Sequence, residues 1–173
     1  MELKVRIKKL CKDAIIPTYA RKGDAGMDLT AVDYYYDVEG NIVYRTGLAI
    51  EIPEGYVGLI FPRSSICNYD INLTNAVGVI DSGYRGEVTM KFKPTLCFQP
   101  NEATNYLADD KFDASDGVYI PYDERVPIEP HVYECGERVG QIIIMPYPQI
   151  EFEEVESLTE TERGDGGYGS TGK

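Results

Sequence analysis

Five short stretches carry side chains suited to chemistry. GVIDSGYRGE (Gly78–Glu87) ends an apolar run on Asp81 and turns through glycines into a second strand, setting a carboxylate and Tyr84 at a hairpin mouth. A carboxylate there can act as general base on water. A lone D-S-G reads more simply as an ordinary hairpin whose aspartate bonds its own turn. In AGMDLTA, Asp28 lies between apolar neighbours, either bonded or beside a metal. In PRSS, Arg63, Ser64 and Ser65 open a possible short helix, with Ser64 or Ser65 as its cap. N–H groups, hydroxyls and a guanidinium suit phosphate oxygens. Gln141 in GERVGQIII enters an apolar strand, where its amide needs a partner in ligand or backbone. The stretch RGDGGYGSTGK, residues 163–173, ends like the front of a P-loop. A P-loop needs a Ser or Thr and a helix after its lysine, and the sequence offers neither beyond Lys173. The functional expectation is an anion-binding flap using Arg163, Ser170, Thr171 and the face of Tyr168; the plainer one is a disordered glycine tail.

These stretches need a scaffold, and the pattern is β throughout. Leu3, Val5 and Ile7 alternate with charged residues, and further strands are expected at 42–52, 56–61, 77–80, 86–93, 117–122, 131–135, 139–145 and 149–154. Many short strands without helical stripes predict an all-β sandwich, jelly roll or barrel. Residues 95–130 are polar, acidic and turn-rich, and read as an excursion, part hairpin and part loop. The expected organisation is one β domain over residues 1–156 and an arm over 157–173.

Composition narrows the partners. A net charge of −12 argues against an extended nucleic-acid partner, since that binding rests on cationic contacts to phosphates. It permits a small polyanion at a local cluster of donors. No run approaches a membrane span, and MELKVRIKKL lacks a secretion signal, so a cytoplasmic location is expected. The four cysteines form no C-x-x-C pair and are expected to be reduced thiols packed as small hydrophobes. The single histidine, His131, is expected at a surface or strand edge.

Taken together and in order, the five stretches resemble the five motifs of the homotrimeric dUTPases, and the resemblance covers nearly the whole chain. It implies a jelly roll assembled as a threefold trimer, with each site shared between subunits. It implies hydrolysis of dUTP to dUMP and pyrophosphate with Mg²⁺ held mainly by the triphosphate, which would limit uracil in DNA and supply dUMP for dTMP synthesis. By that likeness Asp81 activates the water that attacks the α-phosphorus, and Tyr84 packs beneath the deoxyribose. Asn75 reads uracil together with backbone of the hairpin. Arg63, Ser64, Ser65 and Gln141 contact phosphates, and Asp28 meets the metal through its water shell. Arg163, Tyr168, Ser170 and Thr171 belong to a lid from a neighbouring subunit.

Three departures are visible, the largest being the 95–130 excursion. Ser65 stands where glycine is common, and GERVGQ replaces the more frequent G-D-R-I-A-Q. The 95–130 excursion is a family-variable insertion, of a kind found in some phage enzymes, that leaves room for a protein partner. Two other readings stay open: a dCTP deaminase on the same fold, and a nucleotide-switched interaction protein using residues 95–130.

Overall fold

The computed structural model describes residues 3–95, 97–100 and 125–167. Among the described residues twelve strands run in chain order. The first six are β1 (Arg6–Lys9), β2 (Met27–Thr30), β3 (Asp33–Tyr36), β4 (Ile42–Arg45), β5 (Leu48–Glu51) and β6 (Tyr56–Phe61). A 3-10 helix (Ser64–Asn68) follows, then β7 (Ile71–Leu73), β8 (Gly78–Ile80) and β9 (Thr89–Pro94). The last three are β10 (Cys97–Pro100), β11 (Arg125–Ile128) and β12 (Arg138–Pro146). All pairings are antiparallel. The all-β jelly-roll expectation holds.

Two four-stranded sheets share the core. One has the order β2-β12-β6-β8 and the other β3-β4-β9-β7, with β1-β5 and β10-β11 as separate pairs. Alternation explains the inward faces: along β9, Met90 and Phe92 are buried while Thr89, Lys91 and Lys93 are exposed. Leu29, Ile60 and Ile142 from the first sheet join Ile42, Tyr44, Met90 and Phe92 from the second in a single cluster. The sheets come so close at Gly140 that a Cβ there would overlap the Met90 thioether and lie 3.0 Å from the Phe61 carbonyl oxygen. Packing against Met90 thus explains glycine in GERVGQ, one of the departures read in the sequence.

Several expected elements take another form. The 42–52 strand is split into β4 and β5 at Gly47, whose φ of 66° belongs to the left-handed region. Residues 131–135 form no strand; they run beside the 3-10 helix, with the His131 N–H donating to Asp70 Oδ2 at 2.8 Å. Residues 149–154 also form no strand, because no partner strand lies beside them among the described residues and all are exposed. The helix cap is Arg63, with no side-chain cap bond, rather than either serine. Cys11, Cys67 and Cys135 are free but exposed, not packed as expected. His131 is exposed as expected, its Nδ1 lying 2.8 Å from the Asn68 carbonyl oxygen. The β10–β11 pair fits the hairpin part of the excursion, and the 117–122 strand lies outside the described residues.

Candidate active site

Strand register builds the first half of the site. In the row across β2, β12 and β6, Gln141 pairs with Asp28 on one side and Phe61 on the other. The chain leaves β6 at this row through Pro62, so Arg63 arrives beside Asp28. Arg63 Nε donates to Asp28 Oδ1 at 2.8 Å, and Arg138 Nη1 donates to Asp28 Oδ2 at 3.0 Å. A register shift between Arg138 and Gly140 lies beside this contact. Two guanidiniums on one carboxylate leave one net positive charge in a half-buried corner, where Asp28 and Arg63 side chains keep 24% and 26% of their exposure. Gln141 Nε2 donates to the Pro62 carbonyl at 3.2 Å, so its backbone partner is present. Ser64 is exposed at the helix start, and Ser65 Oγ lies 3.5 Å from Arg63 Nη1 and 3.4 Å from the Tyr133 hydroxyl.

Arg138 was not singled out in the sequence, although it stands three residues before Gln141 in the same motif. Its place beside Gln141 in GERVGQ was the available signal, while the neighbour it meets was not legible there.

The second half is the turn after β8. Asp81 is exposed, and among the described residues its carboxylate has no hydrogen-bond or ion-pair partner. The turn closes through Tyr84 N–H to the Asp81 carbonyl at 3.1 Å, and the Tyr84 hydroxyl donates to the Glu87 carbonyl at 2.9 Å. The Arg85 guanidinium adds bonds to the carbonyls of Ser82 and Tyr84 at 2.6 and 2.8 Å. A carboxylate fixed by its turn but open to water suits a base.

A cleft of about 400 Å³ lies between β7, β8 and β9. Asn75 and Gly78 line one side, Thr89 and Lys91 the other. The cleft brings Asn75 beside residues of β8 and β9. A larger groove of about 630 Å³ is lined mostly by apolar side chains, among them Val5, Ile7, Ile16, Tyr19, Met27 and Ile144, and contains none of these polar groups.

The two halves do not meet within one chain. Gly58 pairs with Ile80, so Asp81 lies by the start of β6, whereas Arg63 follows its end. At the rise of a strand the separation is about 20 Å. Asn75 lies at the Arg63 end, because Gly78 pairs with Ile60. Arg163 joins neither half; its Nε donates to the Gly166 carbonyl at 3.1 Å within a local turn. Tyr168, Ser170 and Thr171 lie outside the described residues.

The profile of the family described as dUTPase matches residues 12–95 and 127–172. The chain belongs to the dUTPase family. The gap in the match falls within the 95–130 excursion, so that segment is an insertion in the dUTPase pattern. The deoxyuridine 5'-triphosphate nucleotidohydrolase of Nautilia profundicola is 37% identical, covering 99% of this chain and 100% of that one. The dUTPase of Staphylococcus bacteriophage 80alpha, solved with dUPNHPP, matches with a TM-score of 0.70 and 29% identity over 98% of this chain and 99% of that one. A dUTPase from phage phi11 of S. aureus matches with a TM-score of 0.64 and 24% identity over 90% of this chain and 98% of that one. That phi11 structure is described as coordinating a structural Mg(II) ion. The activity of the chain is therefore dUTP hydrolysis.

Proposed function

We propose that dUTP is hydrolysed in a homotrimer, at sites where Asp81 of one copy faces the Asp28–Arg63–Arg138 corner of another. The separation of Asp81 and Arg63 along β6 carries this reading, because a base must come within hydrogen-bond reach of its water at the reacting phosphorus. An isolated chain holds the two halves too far apart. The apolar groove supports association, as do the exposed side chains of Ile150, Phe152 and Leu158, the last two 92% and 86% exposed.

In this arrangement Arg63, Ser64, Ser65 and Gln141 hold the phosphates at the cationic corner. Asp81 takes a proton from water, whose oxygen bonds to the α-phosphorus as the bond to the bridging oxygen breaks. Pyrophosphate leaves and dUMP remains. Tyr84 supports the deoxyribose, and Asn75 with the Thr89–Lys91 strand reads uracil. Residues 157–173 close as a lid from a third copy, with Arg163, Tyr168, Ser170 and Thr171 gripping phosphate and base. The dUMP serves dTMP synthesis, and removal of dUTP keeps uracil out of DNA.

Among the described residues no group of three His, Cys, Asp or Glu side chains is placed to hold a metal. Both Asp28 oxygens accept from arginines, so that carboxylate fits a Mg²⁺ arriving with the triphosphate only through the ion's water shell. When bound, the ion neutralises phosphate charge.

The test is pyrophosphate release from dUTP by the parent and by Asp81→Asn, with ammonia release from dCTP measured alongside. The reading predicts release by the parent, a loss of about 10²- to 10⁴-fold in the variant and no ammonia. Equal rates in parent and variant would remove Asp81 from its role, and ammonia release would move the chain to the deaminases.

A further inference from the structure

Ser65 Oγ lies 3.4 Å from the hydroxyl of a residue that no motif contains. Tyr133 is 1% exposed, and its backbone carbonyl accepts the Tyr44 hydroxyl at 2.8 Å. Its ring packs on Tyr69 at 3.8 Å between centroids and meets Tyr44 and Phe92 edge-on at 6.0 and 6.1 Å. Tyr69 caps the C-terminal end of the 3-10 helix and stacks with His131 at 4.7 Å. The phenol of this fixed side chain reaches one partner among the described residues, Ser65 Oγ.

The Ser65 hydroxyl has one proton and two lone pairs. The Arg63 guanidinium can only donate, and the buried Tyr133 hydroxyl needs an acceptor for its proton. If Ser65 accepts from both, its own proton is left for a third partner on the open side of the turn.

We propose that Tyr133 is a positioning residue whose phenol orients the Ser65 hydroxyl to donate to a phosphate oxygen of the bound nucleotide. This rests on the reading of Arg63–Ser65 as the phosphate-holding turn. The aromatic stack then sets the direction of a catalytic-site donor from inside the core, while touching no substrate itself.

A double-mutant cycle on the full chain tests it, using affinity for the imido analogue dUpNHpp and for deoxyuridine, which has no phosphate. Tyr133→Phe keeps the ring and removes one hydroxyl, and should weaken dUpNHpp about two- to tenfold. Deoxyuridine binding should not change. Ser65→Gly should weaken dUpNHpp at least as much, and adding Tyr133→Phe to it should cost nothing further. Losses that multiply in the double variant would overturn the proposal, as would parental dUpNHpp affinity in Tyr133→Phe or an equal loss of deoxyuridine. Should Tyr133→Phe fail to fold, Ser65→Gly alone decides, since unchanged dUpNHpp affinity there leaves Tyr133 nothing to position. A folded parent that binds deoxyuridine but not dUpNHpp would instead break the phosphate reading of the turn.

Discussion

The two ends of β6 are built on opposite plans. At its C-terminal end, three adjacent strands converge on a carboxylate held by two arginines, with a glutamine amide bonded to backbone. At its N-terminal end, the turn carrying Asp81 leaves the carboxylate exposed and without a partner among the described residues. The first end is ready for an anion: its positive charges are ordered before any ligand arrives, so little reorganisation is left to binding. The second carries the carboxylate that the proposed reaction uses as its base, with no cationic cluster beside it. On the proposed reaction a site needs both ends, and antiparallel pairing holds them apart within one chain.

The largest effect expected beyond Asp81 itself comes from the arm. Deleting residues 163–173 should lower kcat by about 10²-fold or more, because a loosely held phosphate chain loses its alignment for in-line attack. The fold should survive, since the described part, 163–167, bonds only within the arm, and the proposed trimer should too, because the exposed Ile150, Phe152 and Leu158 are kept. Steady-state kinetics with sedimentation checks this; unchanged turnover would make the arm a spectator.

Arg138→Met sharpens the contrast from the other end. It removes one of two charge-assisted bonds to Asp28 and the net positive charge of the corner. KM for dUTP should rise about tenfold or more, with kcat less affected. An unchanged KM would show that Arg63 alone suffices.

The smallest effect belongs to neither end. Asp37, on the β3–β4 turn, is held well below the usual carboxylate range by the Lys91 ammonium at 2.8 Å and the Asn41 amide. A depressed carboxylate stabilises the fold above its unfolded pKa, near 3.9, and that contribution fades as pH falls. Asp37→Asn should thus melt slightly below the parent at pH 7, with the gap closing below about pH 4. A gap that persists in acid would point to packing instead of charge.

The corner was legible because its residues sit in motifs on strands with strong apolar patterns. Asp28 and Gln141 needed only adjacent strands to meet. Arg138 was passed over because nothing in one strand reveals which neighbour faces it. β3 escaped notice since all four of its residues, Asp33–Tyr36, are exposed and show no alternation, and β7 is three residues long in a polar stretch. The opposite error arose at 131–135, where HVYEC alternates like a strand. Its side chains instead serve the aromatic stack, with Tyr133 buried and His131 against Tyr69. Local period cannot separate these outcomes; tertiary contacts decide.

Complementation tests the shared site most directly. Asp81→Asn and Arg63→Met, each inactive as a homotrimer, are unfolded together in equal amounts and refolded. Random assembly should restore about a quarter of parental turnover, since a site between copies can draw Asp81 from one chain and Arg63 from the other. A mixture as inactive as its components would place both residues in one chain's site and contradict the account.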